Sequence, residues 1–98
     1  MLQTKKVYWG YEMKSFEYTL TIENGIHARP AGKLIQLISK FNSEITIKNT
    51  RNNKSSKISG IFSILVLELK KDDVITINID GTDENEACEA IKNFFENL

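Results

Sequence analysis

Asn24-Gly25-Ile26-His27-Ala28-Arg29-Pro30-Ala31 marks the point at which the hydrophobic period of this chain changes. Before it, Phe16, Tyr18, Leu20 and Ile22 alternate with Glu17, Thr19, Thr21 and Glu23, the period of two that a half-buried strand requires. Asn24-Gly25 supplies turn chemistry. After it, Ala31, Leu34, Ile35, Ile38 and Phe41 recur at helical spacing and make one apolar face from Ala28 onward. Pro30 falls in the first turn, where a missing N–H costs nothing. Gly32 inside the helix is unfavourable by about 0.5–1 kcal/mol against alanine.

Ser43 to Asn49 alternates again and predicts a second strand, followed by the polar turn Thr50 to Asn53 and a short antiparallel strand over Lys54 to Lys57. Ile58 to Leu69 is apolar and fits a short helix, with Ile61, Leu65 and Leu69 on one face and Ile58, Phe62 and Leu65 on another. Asp72-Asp73 predicts a turn, Val74 to Asp80 a fourth strand, and Gly81 a further turn. Thr82 or Asp83 can cap a last helix, with Asp83 and Glu86 at capping-box spacing and Ala87, Ile91, Phe94, Phe95 and Leu98 as its apolar stripe. Leu34, Ile38, Ile91 and Phe95 read as core. Short antiparallel strands with too few helices to cover both faces of a sheet predict an α+β two-layer domain.

The 98 residues suffice for one compact domain. A chain that is 41% hydrophobic and 27% charged is an ordinary globular composition rather than a disordered one. Thirteen basic residues balance thirteen acidic ones, so no net field draws in nucleic acid or an anionic membrane. No apolar run approaches the roughly 20 residues that span a bilayer, and the start lacks the apolar region of a secretory signal. A single cysteine, Cys88, excludes an internal disulfide and fits a reducing cytoplasm. With one histidine and one cysteine, a metal site is not expected.

His27 is the only histidine. Its plainest role is a polar residue at a helix cap. Acting as a general base would require a second constellation, which the sequence does not show. Accepting a phosphoryl group requires less: an exposed ring nitrogen, anion-stabilising backbone N–H groups, and a cation. The helix start offers the amides and the positive dipole end, and Arg29 offers a guanidinium fork.

Gly25-Ile26-His27-Ala28-Arg29-Pro30-Ala31 resembles the active-centre motif of HPr, the family of histidine-containing phosphocarriers of the bacterial phosphotransferase system. The likeness extends through Ser39 to Thr46, Val74 to Ile77 and Gly81 to Ala87 and covers residues 15–98. It implies an open-faced β-sandwich: a four-stranded antiparallel sheet with three helices on one face. It implies that His27 becomes a phosphohistidine at Nδ1, charged by phospho-Enzyme I and discharged to IIA domains of sugar permeases. Such a protein is a phosphoryl carrier rather than a self-sufficient enzyme. It is expected to be a monomer without cofactor, nucleic acid or membrane insertion, with regulatory proteins as further partners. By the same resemblance Arg29 stabilises the phosphoryl group, Ala28 and its neighbours give backbone N–H groups to its oxygens, and Pro30 starts the helix. Partners would dock on Gly32, Ile58 and Phe62, although core packing accounts for Ile58 and Phe62 equally well.

Three departures stand out. Aligning Gly60 with the family's glycine puts Lys57 where many members carry a regulatory serine; Ser56 and Ser59 flank it and could serve only in a shifted register. The stretch Phe62 to Lys71 is longer and more apolar than the family's second helix and following turn. Residues 1–13 have no family counterpart and show no period, leaving 14–98 as the domain. One reading makes Met13 the natural start, since the Trp9-Gly10 codons give a guanine run like a ribosome-binding site; the rival reading is an arm packed on the sheet. The alternative to a carrier is an HPr-like regulatory adapter that binds a transcription factor or enzyme without relaying phosphate.

Overall fold

The structure, a computed structural model, describes every residue except Met1, Trp9, Gly10, Asn24, Gly25 and His27, with backbone alone for Leu2–Tyr8, residues 11–13 and Ala28. In chain order the elements are β1 (Leu2–Tyr8), β2 (Tyr11–Thr19), α1 (Ala28–Ile38), β3 (Glu44–Asn49), β4 (Lys54–Lys57), α2 (Ile61–Leu65), β5 (Val74–Asp80) and α3 (Glu84–Glu96). The strands form one antiparallel sheet in the order β1-β2-β5-β3-β4. Four of these strands and the three helices are the expected open-faced arrangement. The fifth, β1, lies in the leader, where the side chains show no period. It pairs with β2 from Leu2 opposite Phe16 to Tyr8 opposite Tyr11, with an irregularity between Thr4 and Lys6. A ladder needs only backbone groups and a free edge, so side-chain period did not announce it.

Register places the core. Ile45 lies opposite Ile79, and Ile47 opposite Ile77, which in turn lies opposite Phe16. All five are buried, against Ala31, Leu34 and Ile38 of α1, Ile64 of α2 and Ala87, Cys88, Ile91 and Phe95 of α3. The intervening residues Glu17, Thr46, Lys48, Thr76 and Asn78 fall on the other phase and keep exposure, which is the open face. Tyr18 closes one end of the core, its hydroxyl donating to the Phe95 carbonyl at 2.9 Å. Leu34, Ile38, Ile91 and Phe95 are core, as expected.

Several boundaries differ from the sequence reading. Strand β2 ends at Thr19, because Leu20 leaves the ladder to exchange hydrogen bonds with the amide of Asp72 and the carbonyl of Asp73 at 2.8 and 2.9 Å. The apolar run from Ile58 contains only a five-residue helix. Ile58 itself continues the hairpin, its amide donating to the Ile45 carbonyl at 2.8 Å. Of the helix, Ile64 is the fully buried residue, not the faces drawn through Ile61 and Phe62. Past Val66 the chain runs irregularly, with Leu67 and Leu69 buried and Glu68 at φ 53°.

Asp83 is the N-cap of α3, but its carboxylate does not make the expected capping box. It accepts instead from the Asn42 amide at 2.8 Å and Ser43 Oγ at 2.6 Å, while Glu84 Oε1 accepts from the Gly81 amide at 3.1 Å. Those bonds, Ser43 first, hold the Asp83 carboxyl below its ordinary pKa. Gly81 is required for space: a Cβ there would stand 2.5 Å from Ser43 Cα. Leu98, expected on the α3 stripe, lies beyond the helix and is exposed.

Candidate phosphocarrier site

The connection from β2 to α1 is held from both sides of its apex. Leu20, at its start, is fully buried and bonded to Asp72 and Asp73. Ile26, at its end, is buried, and its amide donates to the Leu69 carbonyl at 3.2 Å. Lys71 Nζ reaches Glu23 Oε2 at 4.0 Å across the rim. The connection thus leans on the chain that leaves α2. His27, the expected phosphoryl acceptor, lies outside the described residues, as does the Asn24-Gly25 turn.

Helix α1 begins at Ala28, so the backbone N–H groups of Ala28 and Arg29 have no partner within the helix. Pro30 follows in the same turn, where it has no N–H to leave unpaired, and its ring is buried. Arg29 is exposed. The first turn of α1 contains no acidic residue, so no carboxylate of that turn opposes an anion at its positive end.

Helix α2 packs beside α1. A Cβ on Gly32 would sit 3.8 Å from Ile61 Cδ1, an ordinary contact, so the closeness of the two helices does not itself demand glycine. Phe62 is 79% exposed, Val66 53% and Ile61 38%, three of the four large exposed hydrophobic residues among those described. Such a contiguous apolar patch beside a helix start is the kind of surface that partners cover. Of the three contact residues expected from the sequence, Phe62 and Gly32 keep exposure, but Ile58 is 6% exposed and belongs to the core. Ile61 and Val66 were missed because Ile58 to Leu69 offered several overlapping helical faces.

Lys57, which the sequence alignment on Gly60 expects at the place of a regulatory serine, forms an ion pair with Glu44 across the hairpin, Nζ to Oε2 at 2.9 Å. Both groups are exposed, so the pair contributes little stability. Ser56 Oγ approaches the Lys57 carbonyl at 3.4 Å, and Ser59, which is exposed, has its amide bound by Ser63 Oγ at 3.0 Å. Among the described residues no cluster of histidine, cysteine and carboxylates could hold a metal ion, and no helix is long and apolar enough to cross a membrane.

The family model described as the HPr component phosphorylation site of the phosphotransferase system matches residues 14–97. The chain is 36% identical over 85 residues to a phosphocarrier protein HPr from Xylella fastidiosa, covering 87% of this chain and 93% of that protein. A crystal structure of HPr from Bacillus anthracis matches with TM-score 0.76 at 29% identity, over 85% of this chain and 96% of that one. The histidine-containing phosphocarrier protein of Mycoplasma matches with TM-score 0.76 at 38% identity, over 82% and 89%. Sequence, fold and helix start agree, and the chain belongs to the HPr family of phosphotransferase-system phosphocarriers.

Proposed function

We propose that His27 accepts a phosphoryl group from phospho-Enzyme I and passes it to the IIA domains of sugar permeases. The observation that carries this reading is the Gly25-to-Ala31 motif at the start of α1, within a chain matched over residues 14–97 by the family's phosphorylation-site model. The lone pair of His27 Nδ1 attacks phosphorus. The bond from phosphorus to the donor atom breaks, and its electron pair stays with Enzyme I. Discharge to the IIA domain reverses the roles. Arg29 and the free amides of the first turn face the charge of the group in transit, where a helix N-terminus favours about −2 charges. No pocket is required, because each partner brings the other half of the site.

Gly32, Ile61, Phe62 and Val66 form the docking face, with an apolar centre suited to transient contacts. A carrier that offers one face to successive partners functions as a monomer in the cytoplasm. Residues 14–98 make up the working unit and residues 1–13 an appendage. Lys57, paired with Glu44, leaves the family's serine switch without its hydroxyl, so purified HPr kinase should incorporate no phosphate at Ser56 or Ser59. The same altered stretch, Lys57 to Lys71, favours a second reading: an adapter that binds a regulatory partner without relaying phosphate.

Incubation with labelled phosphoenolpyruvate and Enzyme I should yield acid-labile, alkali-stable label on the wild type and none on His27→Ala. An unlabelled wild type would remove the relay, leaving the adapter. Label that survives in the variant would misplace the site.

A further inference from the structure

Inside a core of aliphatic side chains, β3 ends on a polar residue. Asn49 lies on the same inward phase as Ile45 and Ile47, opposite Ile75, and is fully buried. Its Nδ2 donates to the Leu67 carbonyl and to Asp73 Oδ2, both at 3.0 Å, and its Oδ1 accepts from the Arg51 amide at 3.1 Å. Asp73, 6% exposed, also accepts from Arg51 Nε at 2.7 Å and from the Lys70 amide at 2.9 Å. Arg51 then spans the segment, its second donor reaching the Glu68 carbonyl at 2.8 Å. Asn52 Nδ2 adds a bond to Leu67, and Lys54 Nζ one to Glu68 Oε2, each at 3.2 Å.

These bonds converge on residues 66–73, a segment with neither helix nor strand, and with Glu68 and Asp72 both at positive φ, 53° and 73°. Left to itself, such a segment would sample many conformations. It is also the segment on which the phosphoryl-acceptor loop rests. The Leu69 carbonyl takes the amide of Ile26, the residue immediately before His27, and Asp72 and Asp73 take both backbone groups of Leu20. Two branches leave Arg51: one reaches the Glu68 carbonyl and, through the adjoining Leu69, the amide of Ile26; the other reaches Asp73, whose carbonyl takes the amide of Leu20.

We infer that Asn49, Arg51 and Asp73 are positioning residues for phosphoryl transfer: they fix residues 66–73, and through Leu69 and Leu20 they hold the loop that presents His27. The inference rests on the reading of His27 as the acceptor. Misplacing a reacting group lowers rate more than affinity, because the cluster bonds Leu67, Glu68, Lys70 and Asp73 and makes no bond to Phe62 of the docking face. Asp73→Asn tests the geometry sharply. Three donors converge on the carboxylate, and an amide offers them a single acceptor oxygen.

The experiment compares wild type with Arg51→Ala, Asp73→Asn and Ile91→Val, the last destabilising the core from α3. Amide hydrogen exchange of Ile26 and of Ile77 is read by NMR, together with steady-state phosphotransfer from Enzyme I. Arg51→Ala and Asp73→Asn should speed Ile26 exchange about tenfold more than Ile77 exchange, and lower kcat several-fold with KM within twofold. In Ile91→Val the two amides should move together and kcat should stay. Ile26 moving only in step with Ile77 in all variants would overturn the inference. So would a selectively loosened Ile26 with kcat unchanged. A wild type that takes no phosphate would instead defeat the carrier reading, while the exchange comparison still decides whether the loop is anchored from Arg51.

Discussion

Helices α1 and α2 lie side by side but are built by opposite means. Helix α1 has eleven residues, one apolar face and a proline in its first turn, and its sequence alone announces it, although Phe41, drawn on its apolar face, lies beyond its end at Ile38. Helix α2 has five residues, too few to stand alone, and is held by its buried Ile64 and by packing beside α1. Upstream, Ile58 is bonded into the hairpin; downstream, the Asn49–Arg51–Asp73 cluster grips the exit. In the proposed function the self-sufficient helix carries the reactive end. The dependent one supplies the apolar surface beside it and the chain on which the reactive loop rests. On that reading chemistry and support sit on different elements.

The largest effect that can break this comparison lies within α2 itself. Ile64 is fully buried and Phe62 is 79% exposed, two residues apart on a single helix. Ile64→Ala should lower stability by about 2–5 kcal/mol in denaturant melts. Phe62→Ala should stay within about 0.5 kcal/mol of wild type and raise the KM for Enzyme I. Equal losses from both would mean that α2 does not present the outward face assigned to it.

Acid should act on the exit of α2. Burial pushes the Asp73 carboxyl up, but the hydrogen bonds from Arg51, Lys70 and Asn49 outweigh it and hold the group below its ordinary value of 3.8. The stabilisation from a carboxylate so depressed is fully present above 3.8 and is lost as pH falls through the lower folded value. The Tm gap between wild type and Asp73→Asn should therefore be widest near neutrality and narrow below pH 3.8. A gap independent of pH would show that the charge on Asp73 contributes nothing.

The smallest effect belongs to α1. Gly32→Ala places its new methyl in ordinary contact with Ile61, so it should stabilise by about 0.5–1 kcal/mol through helix propensity. Slower transfer in this more stable variant would assign Gly32 to close approach of a partner. Unchanged transfer would sharpen the division, leaving docking to α2.

The same contrast explains what the sequence disclosed. Periodicity found α1, β3, β5 and most of α3, because each buries one face of a regular element. It misjudged α2, whose apolar run divides among a hairpin end, a helix and two buried loop residues, Leu67 and Leu69. It missed β1, which an open sheet edge recruits through backbone groups. Asn49 was legible in principle: it falls on the inward phase of β3, and a polar residue there must find buried partners. Those partners, Arg51 and Asp73, are brought together only by the fold. For the site, the helix start with Arg29 and Pro30 was plain in the motif, whereas exposure separated Phe62 from Ile58 only in three dimensions.

The relay itself is tested most directly by following phosphate on the wild-type protein. After charging with phosphoenolpyruvate and Enzyme I, mass spectrometry at alkaline pH should locate one phosphoryl group on His27, and adding a IIA domain should remove it and transfer it to that domain. Phosphate on any other residue, or phosphate on His27 that no IIA domain accepts, would contradict the account.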